Sequence, residues 1–357
     1  MRKFHKATIQ KKVAETEDAC RLTLSVPAAA AEDFVYTQGQ HLPVRAQIGD
    51  KMVRRTYSVC ASVADGELQL GIRIQEGGVF SNYVADELNV GDTLEVMPPY
   101  GHFNTPLDAE NAKTYAAFVS GSGITPIFSI LKTTLETEPG SRFLVFYGNR
   151  KRATTMFIED LWALKNIYGE RLALHFIMSQ EPAEIELYNG RIDGERVKAL
   201  HEAFMDHARA DDIFLCGPNP MIDDVTASLL AIGYNPDQIH SERFRPGLRG
   251  EAAPGPIKVT TPKAGTEITI VMDGQRRTFH MGRDNASILD AALDNGLDLP
   301  YSCKGGVCST CRTLLKTGQV EMANNYALEP WEIERGFILC CQATPKTDKV
   351  ELDYDQT

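Results

Sequence analysis

Five of the chain's eight cysteines lie near its end: Cys303, Cys308 and Cys311, then the adjacent Cys340 and Cys341. The first three follow the pattern C-x4-C-x2-C, with a fourth cysteine far downstream. That spacing suits four thiolates converging on a [2Fe–2S] cluster, three from one tight loop and one from a later strand. The loop from Cys303 to Cys311 contains Gly305 and Gly306 and mostly small residues. Glycine lets such a loop turn closely and aim backbone N–H groups inward at sulfur. Such a cluster moves one electron at a time, so the rest of the chain should end in single-electron delivery. The competing reading is a structural zinc site, which usually brings paired C-x2-C motifs or nearby histidines. Here there is one C-x2-C, and the region's sole histidine is His280. Spacing alone leaves the fourth ligand open between Cys340 and Cys341, which point to opposite faces if that segment is extended.

Two clusters nearer the start could hold a flavin. Arg54-Arg55-Thr56-Tyr57-Ser58 heads a strand-like run in which Arg55 and Tyr57 share a face. An Arg can pair with a pyrophosphate, a Tyr can lie flat on an aromatic ring, and Ser58 can hydrogen-bond a ring nitrogen. Gly77-Gly78-Val79-Phe80-Ser81 could open a helix whose free N–H groups hold phosphate. Two further clusters suit a dinucleotide. Gly121-Ser122-Gly123-Ile124-Thr125-Pro126 lies between a buried strand and a helix, and Cys216-Gly217-Pro218 ends a later strand. Taken singly, each of these strings is also what an ordinary barrel strand, helix start, tight turn or small buried cysteine looks like.

The elements needed to position them can be read in outline. Residues 2–105 read as short strands, such as Lys6–Val13, Cys20–Val26, His41–Ile48, Arg55–Cys60 and Glu67–Ile74, broken by glycine turns; this suggests an antiparallel barrel. Residues 112–245 alternate buried strands (Tyr115–Val119, Phe143–Tyr147, Leu172–Ile177, Asp212–Cys216) with helices expected at Ile127–Leu135 and Met156–Tyr168. That alternation implies a doubly wound parallel sheet. From Pro246 to Pro262 prolines and glycines fall close together, a linker composition. Beyond it, Asp273-Gly274 between two strands signals a hairpin, and Ser287–Leu293 an amphipathic helix ending before Gly296.

In this order and at these separations, the R-x-Y-S strand, the G-x-x-S turn, the Gly121–Pro126 loop and the C-G-P-x-x-M string resemble the ferredoxin–NADP reductase superfamily. The cysteine loop and the Cys341-Gln342-Ala343 segment resemble a plant-type ferredoxin. The resemblance implies a multidomain chain: a flavin-binding antiparallel β-barrel over 1–107, a nicotinamide-binding α/β domain over 108–245, a linker over 246–262 and a β-grasp ferredoxin of α+β class over 263–357. It implies FAD contacts from Arg55, Thr56, Tyr57, Ser58, Gly78, Val79 and Ser81. Nicotinamide contacts would come from Gly121, Gly123, Thr125, Pro126, Cys216 and Gly217. Ser58 and Cys216 would stand beside the reacting rings, with Phe244 over the flavin. It selects Cys341 as the fourth ligand beside Cys303, Cys308 and Cys311. FAD rather than FMN rests on the resemblance alone. Arg150 and Arg152, in the loop after the second strand of the sheet, would suit a 2′-phosphate, so NADPH is expected over NADH. The implied acceptor is a terminal oxygenase, specifically a multisubunit di-iron epoxidase. A redox sensor and a stand-alone quinone or dye reductase are the alternatives.

Composition narrows the setting. A length of 357 residues suits two or three domains. A formal net charge of −11 with no basic stripe argues against nucleic acid as a partner. No run of about eighteen apolar residues predicts a membrane span. The basic start, Met1-Arg2-Lys3, has no apolar segment behind it, unlike a secretory signal. Unpaired Cys20, Cys60 and Cys216 suit a reducing cytoplasm.

Overall fold

The computed structural model describes residues 3–206, 209–244, 265–282 and 285–356. The segment expected to be a linker, Pro246–Pro262, lies outside the described residues. The chain forms two compact units: a larger one of His5–Val53 and Tyr57–Phe244, and a smaller one centred on residues 265–356 that also takes in Arg54–Thr56.

The first sheet has six strands, β1 (His5–Thr16), β2 (Ala19–Ser25), β3 (His41–Ile48), β4 (Lys51–Ser58), β5 (Leu68–Arg73) and β6 (Thr93–Val96), in the order β4-β3-β6-β1-β2-β5. Its two edges meet. Val59, just past β4, bridges antiparallel to Leu70 of β5, and the Cys60 N–H donates to the Gln69 carbonyl at 2.9 Å. The sheet therefore closes as the expected barrel and hides its edge groups. Alternate residues such as Ala7, Ile9, Leu42, Val44 and Leu70 fill the interior. β4 begins four residues before the sequence reading placed it. Gly49, at φ +56°, makes the turn from β3, and the exposed Lys51 and Met52 look loop-like by composition. α1 (Val79–Asp86) opens at Gly78, as expected.

Five strands form the parallel sheet: β7 (Thr114–Ser120), β8 (Arg142–Asn149), β9 (Leu172–Met178), β10 (Asp212–Gly217) and β11 (Ile239–Arg243), in the order β11-β10-β7-β8-β9. Tyr115 to Val119 are wholly buried, because helices cover both faces. α2 (Ile124–Thr137) and α3 (Ile158–Tyr168) pack on one side; α4 (Gly194–Phe204) and α5 (Asn219–Ile232) pack on the other. α2 starts three residues earlier than expected, since Pro126 in its first turn removes no hydrogen bond the helix needs. α3 starts two residues later, because Phe157 takes a left-handed φ of +57°.

Polar contacts tie barrel to sheet within this unit. The Phe157 N–H donates to Glu15 of β1 at 3.0 Å, and Arg21 of β2 pairs with both Glu15 and Asp160. Arg73 of β5 bonds Asp18 and the Thr154 carbonyl. Lys132 of α2 reaches Asp65 at 2.6 Å.

The smaller unit holds β12 (Thr266–Met272), β13 (Gln275–Met281), α6 (Ile288–Asp294), β14 (Arg312–Thr317), β15 (Val320–Met322), α7 (Pro330–Glu334), β16 (Phe337–Leu339), β17 (Ala343–Pro345) and β18 (Lys349–Asp353). Its main sheet runs β13-β12-β18-β14-β16, with β12 parallel to β18 and the other pairs antiparallel, as a β-grasp domain requires. The β12–β13 turn is at Asp273-Gly274, both at positive φ, and the Asp355 carboxylate accepts both N–H groups. Ser287 caps α6, its Oγ accepting the Asp290 N–H.

Candidate functional site

The order of the parallel sheet reverses between β7 and β10, and ligands of such sheets bind beyond the strand ends at that switch point. The Gly121–Pro126 loop leaves β7 there, and Cys216-Gly217 ends β10 beside it. Gly121 sits at φ +56° and its carbonyl accepts the Tyr147 hydroxyl at 2.9 Å. A Cβ on Gly123 would stand 2.3 Å from the Cys216 carbonyl oxygen, so only glycine lets loop and strand approach this closely. Thr125 Oγ1 donates to the Ser122 carbonyl, Pro126 is buried, and the start of α2 carries no side-chain cap. Its first N–H groups suit a phosphate. A Cβ on Gly217 would meet the Met221 side chain.

Cys216 is fully buried; burial, then the charge of Glu242, pushes its thiol well above the ordinary range. Glu242 lies opposite Cys216 in the β10–β11 register. Its carboxylate accepts the Ser58 hydroxyl at 3.1 Å and faces His41 Nδ1 at 3.3 Å. Ser58 and Cys216, both singled out in the sequence, are thus brought to one carboxylate. Glu242 and His41 were missed. Glu242 had a faint signal, the His240-Ser241-Glu242-Arg243-Phe244 segment that closes the domain; His41 had none, being one more residue at a strand start. Phe244, half-buried, packs against the apolar cluster that contains Cys216 and Phe214.

On the barrel, Tyr57 is half-buried with its ring 5.9 Å from that of Phe80. Arg55 is exposed, and its guanidinium donates to the Arg54 carbonyl. Thr56, the next residue along the strand, is half-buried. The Ser81 hydroxyl is used within its own turn, accepting the Gln75 N–H and donating to the Gly78 carbonyl. A Cβ on Gly78 would crowd that hydroxyl at 2.6 Å. Val79 is exposed, and α1 has no side-chain cap, so its first turn presents backbone donors that fit an anionic group. Arg150 is exposed just past β8, beside the buried Asn149, while the Arg152 N–H donates to Glu181 at 2.8 Å.

In the smaller unit the cysteine loop turns through Lys304, Gly306 and Ser309, all at positive φ. A Cβ on Gly306 would press on the Asn324 carbonyl at 3.0 Å. Cys303 lies within hydrogen-bonding reach of the Cys308 and Cys341 thiols, which draw it well below the ordinary thiol range. Cys341 in turn reaches Cys303 and Cys311, and its N–H donates to Cys311 Sγ at 3.5 Å. The Gly305 N–H points at Cys303 Sγ, and Gln342 Nε2 at Cys341 Sγ. Cys340 turns into the apolar core beside Tyr354, where burial raises its thiol. Four converging sulfurs with N–H donors aimed at them fit a four-thiolate iron–sulfur cluster.

Three family descriptions match successive stretches of the chain. Residues 6–105 match an oxidoreductase FAD-binding domain, 119–227 an oxidoreductase NAD-binding domain, and 270–346 a 2Fe-2S iron-sulfur cluster binding domain. The chain is 42% identical to one of the subunits of the 1,2-phenylacetyl-CoA epoxidase of Escherichia coli, over 99% of both chains. It is 32% identical to the ferredoxin reductase component of 3-ketosteroid-9-alpha-monooxygenase of Rhodococcus rhodochrous, over 97% of this chain and 96% of the relative. Among solved structures, phthalate dioxygenase reductase has the same fold, with a TM-score of 0.58 and 21% identity over 98% of both chains. Among the described residues no helix is long and apolar enough to cross a membrane. The chain therefore belongs to the ferredoxin–NADP reductase superfamily, in the branch of oxygenase reductase components that joins FAD-, NAD- and 2Fe-2S-binding domains in one polypeptide.

Proposed function

We propose that this reductase uses NADPH and delivers electrons to the multisubunit di-iron oxygenase of a phenylacetyl-CoA epoxidase. The observation that carries the redox reading is the meeting of Ser58 and Cys216 at Glu242, beside an uncapped helix at the switch point. Bound FAD would supply hydride acceptance and a bound cluster single-electron transfer. The chain's own residues bind and orient. Arg55 and Thr56 would bind flavin phosphate, as would the first turn of α1 with Gly78, Val79 and Ser81, and Tyr57 would lie against the ring. The Gly121–Pro126 loop holds the nicotinamide phosphates, and Cys216 with Gly217 shapes the nicotinamide pocket. Phe244, packed beside Cys216 and Phe214, would stand at the flavin face. Cys303, Cys308, Cys311 and Cys341 hold the cluster.

NADPH is supported by the cationic run Arg150-Lys151-Arg152 past β8, where a 2′-phosphate would lie. The epoxidase as acceptor is supported by the full-length identity to its Escherichia coli component, which exceeds that to the ketosteroid reductase. The free, buried Cys20 and Cys60 support a cytoplasmic setting. Anaerobic mixing of the loaded protein with NADPH or NADH tests the donor. Bleaching of flavin and cluster bands at least tenfold more efficiently with NADPH is expected, and equal or reversed efficiency refutes the preference. Turnover reconstituted with the oxygenase components of the epoxidase, but not with a ketosteroid oxygenase, tests the acceptor. Cofactors inert to both nucleotides would mean a sensor.

A further inference from the structure

Glu242 is 9% exposed, and its two oxygens have different partners. Oε2 accepts the Ser58 hydroxyl at 3.1 Å, and Oε1 lies 3.3 Å from His41 Nδ1. A carboxylate oxygen only accepts, so the imidazole nitrogen is the donor. His41 is itself 5% exposed, and its backbone is bonded both ways to Tyr100, at 2.9 and 3.0 Å. The ring has a prepared space. Gly101 lies over it at φ +126°, and a Cβ there would stand 3.1 Å from both Nδ1 and Cε1. Three segments far apart in the chain therefore enclose one His–carboxylate–Ser array. A buried carboxylate held at both oxygens keeps a fixed orientation; one held at a single oxygen can turn.

We propose that His41 is a positioning residue that sets the hydrogen-bond role of Ser58 toward the flavin, and through it the flavin's reduction potential. The inference rests on the reading that Ser58 faces the ring nitrogen N5. Held by His41, Glu242 commits the Ser58 hydrogen to itself, leaving a Ser58 lone pair for the ring. Oxidised N5 is an acceptor. Two-electron reduction adds a hydride there, two electrons and one proton, and makes N5 an N–H donor. A Ser58 that accepts favours the reduced ring. Removing the His41 donor loosens Glu242, frees the Ser58 hydrogen to point at N5, and favours the oxidised ring.

The test uses the full chain loaded with FAD and cluster, equilibrated anaerobically with a reference dye while the flavin band is followed. His41→Phe and His41→Leu, both without a donor, are expected to shift the oxidised-to-reduced flavin ratio about tenfold toward oxidised, about 30 mV for a two-electron couple. His41→Gln, which keeps an N–H donor, restores most of the shift. In a Ser58→Ala background, His41→Leu adds no further shift. Flavin content per chain is measured for each variant. If Ser58→Ala moves the potential but neither donor-less His41 variant does, the His41 role is overturned and the flavin site stands. A shift of equal size with and without Ser58 also overturns it, since the effect then bypasses the hydroxyl. If Ser58→Ala itself leaves the potential unchanged, the underlying placement of Ser58 at N5 falls instead.

Discussion

The four converging thiols of the smaller unit come from one nine-residue loop and one cysteine after β16, whereas the array at the switch point joins residues up to 201 positions apart, from His41 to Glu242. The first site is shaped largely by its own loop: positive-φ turns and the Gly305 N–H aimed at Cys303, joined by the Cys341 N–H. The second exists only when barrel, parallel sheet and the strand β11 have all formed. A locally built site should fail by losing a ligand. An assembled site should fail by any change that shifts one element against another.

The largest expected effect sharpens the local side of that contrast. Cys341→Ser should abolish the cluster, seen as loss of its visible absorbance and of the paramagnetic signal on reduction, while Cys340→Ser keeps both. The reverse pattern would exchange the ligand assignments. Next, Glu332 is fully buried and pairs with Arg312 at 2.6 Å, and the Arg312 guanidinium lies over the Phe337 ring. Glu332→Ala leaves that cation unpaired and should cost the smaller unit about 3–5 kcal/mol, read from the denaturant midpoint of cluster bleaching. The flavin-release midpoint should not move; a common shift would show that the two sites do not fail separately.

In the larger unit, His175 stacks on Phe146 and bonds the Tyr188 hydroxyl at 3.0 Å. Burial, and then the charge of Lys165, pulls it down to about 4 from an ordinary 6.5. The unfolded chain therefore binds the proton more readily. Its neutral form leaves stability intact above about pH 6.5, and stability falls as pH drops toward about 4, by up to ~3 kcal/mol. His175→Gln should flatten that slope in urea titrations across this window. A further loss is expected from Gly123→Ala. The added methyl meets the Cys216 carbonyl, and the overpacking should cost about 1–3 kcal/mol. Nicotinamide affinity should fall while cluster content is unchanged.

Local pattern carried much of this molecule. The cysteine spacing, the Asp273-Gly274 hairpin and the Ser287 cap each act over a few residues, so their chemistry is written where they act. The apolar runs of β7, β8 and β10 announced a buried parallel sheet. What escaped was set by distance, by shortness or by an unusual backbone. β6 is four residues long and follows a turn, too short for alternation to show. The start of α3 depends on Phe157, whose left-handed backbone no neighbour in sequence demands. The pairing of His41 with Glu242 follows from barrel closure and strand order, neither of which a periodicity expresses.

Phe157 has a practical consequence for recombining such reductases. Its strained turn is held by Glu15 and covered by Arg21, both contributed by the other half of the same unit. A nucleotide half grafted behind a foreign flavin half would arrive without its keeper, and the junction would settle into a different helix start. Chimeras of this enzyme should therefore be cut after Phe244, leaving His5 to Phe244 intact as the smallest transferable piece.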